Sequence, residues 1–179
     1  MCKHKTCHQG VEIKGVGAIL LNHYSKGSTH VKYAALFGKE RGGKYQGYFN
    51  IFGGSMNHED HKCALSAIIR ELKEEAKIDL SDWGRFDSVF KSSTGIRYFM
   101  INNTMIFVGV LSPGFSRGPI KRHMISDCVS HPLPEYREMD DAEWFDAATD
   151  SQIEHKSCHL SSYAKTALSL LRSKKMCGL

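Results

Sequence analysis

Apolar positions divide the chain into segments of two different periods. Val11 to Leu21 is rich in aliphatic and β-branched residues and reads as a strand, His30 to Phe37 as a second and Tyr48 to Phe52 as a third. Between the last two, Gly38-Lys39-Glu40-Arg41-Gly42-Gly43-Lys44 has the composition of an exposed, basic turn. From Cys63 to Ile78 the period lengthens. Leu65, Ile68, Ile69, Leu72 and Ala76 recur at three- and four-residue spacing, which predicts an amphipathic helix. Phe86 to Lys91 reads as a strand. Arg97 to Ile101 and Thr104 to Leu111 predict a hairpin about Asn102-Asn103, a pair that tolerates the positive φ of a tight turn. Ser112 to Pro134, with Pro113, Pro119, Pro132 and the basic pair Lys121-Arg122, reads as a long loop of functional rather than structural value. Ala142 to Phe145 is a short strand. A final helix runs from about Cys158 to Arg172, with Ala164, Ala167, Leu168 and Leu171 on one face.

Strands, helix, strands and helix in this order predict one α/β domain over residues 11–175, a mixed sheet between helices, preceded by a flexible segment at 1–10. Neither an internal repeat nor a linker interrupts it. At 179 residues, 41% hydrophobic and 24% charged, the chain has room for one core, and disordered, collagen-like and low-complexity classes are excluded. The start, Met1-Cys2-Lys3-His4-Lys5-Thr6-Cys7-His8, leads into no apolar stretch, and Gly17 to Leu21 and Met105 to Leu111 are too short to span a membrane. The expectation is a cytoplasmic protein without membrane contact. Its six cysteines, at 2, 7, 63, 128, 158 and 177, follow no framework spacing, so reduced thiols are expected. Cys2, His4, Cys7 and His8 are too cramped for a zinc finger and read as a solvated terminus. Nothing in the pattern fixes an oligomeric state.

Charge adds a direction. Lys and Arg number 24 against 19 Asp and Glu, a net +5, which agrees with a polyanionic ligand without requiring one. Position says more than the sum. In Arg70-Glu71-Leu72-Lys73-Glu74-Glu75 the three acids stand at i, i+3 and i+4 and share a helical face, turned from the apolar one. Alone, this describes any solvated helix face paired by Arg70 and Lys73. Two neighbours alter that reading. Gly53-Gly54, between a strand ending at Phe52 and the helix, serves either a simple turn or the close approach of backbone to a ligand. Glu138-Met139-Asp140-Asp141-Ala142-Glu143 supplies a second acidic group before an apolar strand. Carboxylates on one face with a carbonyl nearby suit Mg²⁺ or Mn²⁺, which take oxygen ligands and keep room for phosphate oxygens.

These residues resemble the box of the Nudix hydrolase family, Gly-x5-Glu-x7-Arg-Glu-U-x-Glu-Glu-x-Gly-U, with U a bulky aliphatic residue. Gly54 matches its first position, Arg70-Glu71-Leu72-x-Glu74-Glu75 its core and Ile78 its final U. Tyr48 to Gly54 resembles the family's strand into Gly-Gly, and Glu143-Trp144-Phe145 its late strand. The resemblance covers about residues 11–172. It departs from the pattern in the loop, where 15 residues separate Gly54 from Arg70 against the family's 13, a two-residue insertion. The usual proline before Gly-Gly is Phe52, and the late glycine is Lys77.

The resemblance implies a Nudix-type α/β/α sandwich and Mg²⁺- or Mn²⁺-dependent attack of water on phosphorus in a nucleoside diphosphate linked to another moiety. It implies Glu74 and Glu75 as metal ligands, Glu71 as ligand or base, and the Gly54 carbonyl in the metal shell. Arg70 holds a loop acid, Asp60 at the x5 spacing or Glu59. Where the base comes from a later loop, Glu135 and Glu138 are the candidates, and Glu138 is taken with Glu71 and Glu74 as catalytic. Arg41, Lys44, Lys121 and Arg122 are candidates to meet phosphates and Tyr48 to stack a base, with Tyr45, Phe49, Tyr98 and Phe99 as further aromatics. Each is otherwise a solvated cation or a packed ring. The substrate is then a nucleotide, dinucleotide or nucleotide-sugar. Capped RNA is the alternative that Lys121-Arg122 favours, and a non-catalytic nucleotide-binding module is the alternative of another class.

Overall fold

The computed structural model describes residues 7–8, 11–25, 31–60, 63–76, 78, 80, 83–111, 139–149 and 159–176. Along the chain run β1 (Cys7–His8), β2 (Val11–Glu12), β3 (Gly15–Ser25), β4 (Val31–Glu40), β5 (Phe49–Asn50), β6 (Phe52–Ser55), α1 (Ala64–Glu75), α2 (Trp83–Phe90), β7 (Lys91–Ser92), β8 (Gly95–Ile96), β9 (Tyr98–Ile101), β10 (Thr104–Val110), β11 (Met139–Asp146) and α3 (Ser162–Ser173). The main sheet has the order β11-β4-β3-β10-β9, with β5 on β4 and β6 on β3. It is mixed: β3 and β10 run parallel and the other pairs antiparallel.

β3 is buried on both faces, which is why its sequence reads as an unbroken apolar run rather than an alternation. Ala18 and Leu20 point to one side and pack with Leu65, Ile68 and Leu72 of α1 and Phe86 and Phe90 of α2. Ile19 and Leu21 point to the other and pack with Phe37, Phe145 and the Ala164, Ala167, Leu168 and Leu171 stripe of α3. Two helices on one face and one on the other make the α/β/α sandwich.

β3 and β4 pair only from Leu20 and Leu36 outward to Ser25 and Val31. Toward the opposite end they part, and residues 49–55 fill the fork: β5 takes the edge of β4 at Gly38 and Lys39, while β6 takes the edge of β3 from Gly15 to Ala18. Gly53 fits there only as glycine. Its φ is +143°, and a Cβ would run into the Val16 carbonyl oxygen.

Several expectations change. Phe86 to Lys91 is not a strand; α2 covers Trp83–Phe90, with Phe86, Val89 and Phe90 buried at i, i+3 and i+4, and only Lys91–Ser92 pairs, with Gly95–Ile96. Aromatic and β-branched content masked a helical period there. Gly53-Gly54 lies inside β6, not in a turn after it. β4 runs on to Glu40, so the exposed turn starts at Arg41 and is closed by Glu40–Tyr48 and Gly47–Glu40 backbone hydrogen bonds of 2.9 and 2.8 Å. The Asn102-Asn103 hairpin forms, with Asn102 at φ +52°. α3 begins at Ser162, capped by the Ser161 hydroxyl, which accepts from the Ala164 N–H. Cys63, expected as a free thiol, is disulfide-bonded; spacing along a chain does not reveal which cysteines a fold brings together. No helix among the described residues is long and apolar enough to cross a membrane. The predicted loop at 112–134 lies outside the described residues.

Gly53→Ala combines a forbidden φ with a backbone collision. It is expected to destabilise by roughly 1–3 kcal/mol or more and to lower the thermal unfolding midpoint by several degrees in circular dichroism. An unchanged midpoint contradicts the forced close approach in the fork.

Candidate active site

α1 lays its apolar stripe on the sheet and thereby turns its acids toward β6. Glu71 and Glu75 are each only 5% exposed, whereas the Glu74 side chain is 57% exposed. The backbone of β6 receives the two buried carboxylates. The Gly53 N–H donates to Glu75 Oε2 at 2.6 Å. A Cβ on Gly54 would stand 2.6 Å from Glu71 Oε1, so the Glu71 carboxylate occupies the space that Gly54 leaves bare. The Gly54 carbonyl oxygen lies beside Gly15 of the neighbouring strand.

Arg70 organises the rest. Its Nε and Nη2 donate to the two carboxylate oxygens of Asp60, both at 3.1 Å, a bidentate fork on an acid that is 2% exposed. Nη2 also donates to the Ser55 carbonyl at 3.2 Å and pairs with Glu71 Oε1 at 2.9 Å, while Nη1 donates to Glu74 Oε2 at 2.9 Å. Asp60 is held in turn by the Asn57 N–H, 2.8 Å from its Oδ2, and ends a single 3₁₀ turn, His58–Asp60. Of the two acids proposed for Arg70, it therefore meets Asp60; Glu59 is exposed. The Asp60 hydrogen bond chiefly, then the charges of Glu71 and Asp60, hold Arg70 firmly protonated against the opposing effect of burial.

The donor set around this knot is all oxygen, the chemistry that Mg²⁺ and Mn²⁺ select. Among the described residues no three His, Cys, Asp or Glu groups converge on one point. Arg70 draws Glu71 and Glu74 to itself and Gly53 draws Glu75 the other way. The residues fit a divalent cation by type and by shared face, and would close on it by turning side chains.

The remaining candidates fall elsewhere. Arg41 is half-buried at the end of β4, Tyr48 is 48% exposed, and Lys44 sits in the exposed Gly43–Tyr45 turn with Nζ 5.3 Å from the Tyr45 ring centroid. None of the three lines the cavity beside Gly53 and Gly54. Lys121, Arg122, Glu135 and Glu138 lie outside the described residues.

A cavity of about 410 Å³ adjoins Gly53 and Gly54 and is walled by Lys14, Tyr45, Asn50, Ile51, Thr104 and Tyr163. Apart from Tyr45, sequence reasoning missed these residues. They meet through long-range pairing that no local pattern shows: Gly15 with Thr104 across β3 and β10, and Phe49 with Leu160 at the entry to α3.

No family model and no curated protein matches the chain by sequence. Solved structures do match in fold. One is a MutT/nudix family protein from Enterococcus faecalis, at TM-score 0.51 and 12% identity over 93% of this chain and 64% of that one. Another is NrtR from Shewanella oneidensis, a protein with a NUDIX domain, at TM-score 0.50 and 11% identity over 91% of this chain and 63% of that one. The chain thus spans slightly less than two thirds of each.

Arg70→Lys keeps the charge but loses the planar fork. It is expected to cost roughly 1–3 kcal/mol in denaturant unfolding. Lys91→Ala, which removes an exposed pair with Asp87, is expected to change stability by no more than about 0.5 kcal/mol. Equal effects from the two would contradict the organising role of Arg70. The mixed sheet, its one-against-two helices and the α1–β6 junction, together with these structural matches, show that the chain has the Nudix fold.

Proposed function

We propose that the protein is a hydrolase of phosphoanhydride bonds, acting on a nucleoside diphosphate linked to another moiety. The observation that carries this reading is the pair Glu71 and Glu75 held against the bare backbone of Gly53-Gly54, with Glu74 beside them on Arg70, next to a cavity. Two nearly buried carboxylates one helical turn apart are costly to place together unless their surroundings supply positive charge or hydrogen-bond donors. Arg70 and the Gly53 N–H supply part of this. A divalent cation would supply the rest, held by Glu71, Glu74 and Glu75, and when bound would neutralise charge on the diphosphate oxygens.

The chain's own groups have three tasks. Arg70 and Asp60 fix the loop before α1, so that the first two turns of the helix stand at a set distance from β6. The cavity beside Gly53-Gly54 receives the organic part of the ligand and leaves the diphosphate facing the acids. A carboxylate takes the proton of the attacking water as its oxygen bonds to phosphorus. The bridging P–O bond breaks, its electron pair stays on the leaving oxygen, and two phosphate-terminated products result. Glu71 and Glu138 are the candidates for that carboxylate, and Glu71 stands within the described site.

One observation favours a second reading, a module that binds nucleotide without cleaving it: Glu71 and Glu74 are both engaged by Arg70. Hydrolysis separates the two. Glu74→Gln and Glu75→Gln, which keep an oxygen acceptor but lose the charge, are expected to abolish Mg²⁺- or Mn²⁺-dependent release of monophosphate from a panel of nucleoside diphosphate compounds, with unchanged far-UV circular dichroism. Turnover at the wild-type rate in both variants, or no turnover by the wild type across the panel, overturns the hydrolase. Capped RNA belongs in the same panel. A steep loss of its binding with salt would mark a long phosphate contact, whereas a compact ligand in the cavity predicts a shallow one.

A further inference from the structure

Positive charge is not spread evenly along the chain. All 19 acids lie before His155, and beyond it stand Lys156, Lys165, Arg172, Lys174 and Lys175 with no Asp or Glu. Residues 1–154 therefore balance, and the net +5 falls entirely on the segment that contains α3. α1 and the end of α2 pair their surface charges along the helix, Arg70 with Glu74 and Lys91 with Asp87. α3 has no acid with which to do so. Its exposed side chains are Ser162, Lys165, Thr166, Ser169 and Ser173, followed by Lys174 and Lys175. These three lysines make no ion pair among the described residues.

The row is held in place from both ends. Ser161 caps the helix, and Ala164, Ala167, Leu168 and Leu171 bury its inner face. Arg172 Nη1 donates to the Ala147 carbonyl at 3.0 Å and ties the last turn to the residues after β11. Arg172 is thus engaged, and the outward cations are Lys165 in the first turn and Lys174-Lys175 after the last. About 15 Å of helix separates them, which in a duplex spans about four phosphates of one strand. Lys174 and Lys175 suit the negative end of the helix dipole. Lys165 stands nearer the positive end, where an acid is preferred, so helix stability does not account for it. Thr166 Oγ1 and Ser173 Oγ donate back to the Ser162 and Leu170 carbonyls, each at 2.9 Å, which leaves the charge contacts to the lysines. None of the exposed residues of α3 is apolar. The face has nothing to bury in a bilayer and no aromatic or aliphatic anchor for a protein interface. A rigid row of cations without base-stacking rings suits the backbone of a nucleic acid.

We propose that the outer face of α3, from Lys165 to Lys175, is a docking surface for the phosphate backbone of a nucleic acid, contacted without reading its sequence. It lies across the sheet from α1 and does not depend on the proposed hydrolysis. RNA and DNA share this backbone, and the probes separate them.

The test is fluorescence anisotropy of the full chain, without divalent cation, against a labelled RNA strand, the matching DNA strand and the DNA duplex. Each probe is about 20 nucleotides long, well beyond the footprint of the row. The wild type is expected to bind with an affinity that falls linearly in log–log form with salt. The triple variant Lys165→Gln, Lys174→Gln, Lys175→Gln is expected to bind about tenfold more weakly and to lower that slope by about 2–3. A control, Lys73→Gln, Arg85→Gln, Lys91→Gln, removes the same charge from the helices across the sheet and is expected to stay within about twofold of the wild type. Lys165→Glu supplies the acid that the first turn prefers, so its thermal midpoint should not fall, yet its binding should weaken several-fold. Preference for the RNA strand or for DNA identifies the source of the backbone. No binding by the wild type, equal loss in the two triple variants, or full binding by Lys165→Glu overturns the proposal. So does tighter binding to phosphatidylserine vesicles or to poly-glutamate than to any strand.

Discussion

The arrangement of the candidate site depends on the absence of side chains at Gly53 and Gly54. The sheet splits between β3 and β4, and the strand that fills the split lies so close to β3 that no Cβ fits at Gly53. Its backbone then serves both sides. Toward α1 it offers the Gly53 N–H to Glu75 and open space to Glu71; toward α3 it forms part of a cavity wall. A side chain at either position would push the acids away or strain the strand.

The second constraint is electrostatic. Asp60, Glu71, Glu74 and Glu75 gather four negative charges about one end of a helix, and such a group holds together only with compensation. Arg70 provides it from the centre. Its rigid, planar guanidinium spreads its donors over Asp60, Glu71, Glu74 and the Ser55 carbonyl, a distribution that lysine's point charge does not reproduce. In the proposed metal centre the same arrangement would set a competition, since a cation would have to draw Glu71 and Glu74 from the arginine, and its affinity would be a difference between two strong interactions.

Much of this was legible in the sequence, for identifiable reasons. The apolar stripe of α1 and the spacing of its acids are local and obey one period, but Glu71 and Glu75 extend the buried face instead of turning away from it, because β6 receives their carboxylates. The Asn102-Asn103 hairpin is local too. Asp60 and Glu59 could not be told apart, because the choice depends on how a 3₁₀ turn aims two adjacent carboxylates. Gly53-Gly54 was recognised as unusual but placed in a turn, since strand pairing with Gly17 and Val16 is a contact across more than thirty residues. α2 was hidden by aromatic residues that strands also favour. The cavity was least legible: Lys14, Thr104 and Tyr163 lie far apart along the chain, and a Ser161–Asn50 side-chain hydrogen bond ties the start of α3 to β5.

The Nudix fold positions a helix of acids beside a cavity, and the proposed chemistry follows if those acids collect a cation. Electron paramagnetic resonance of Mn²⁺ titrated with the full chain measures this directly, through loss of the free-ion signal. Saturable binding that Mg²⁺ displaces, and that Glu75→Gln removes while the fold persists, is the expected result. A wild type that binds no Mn²⁺, or a Glu75→Gln variant that binds it as tightly, would contradict a metal centre at this helix.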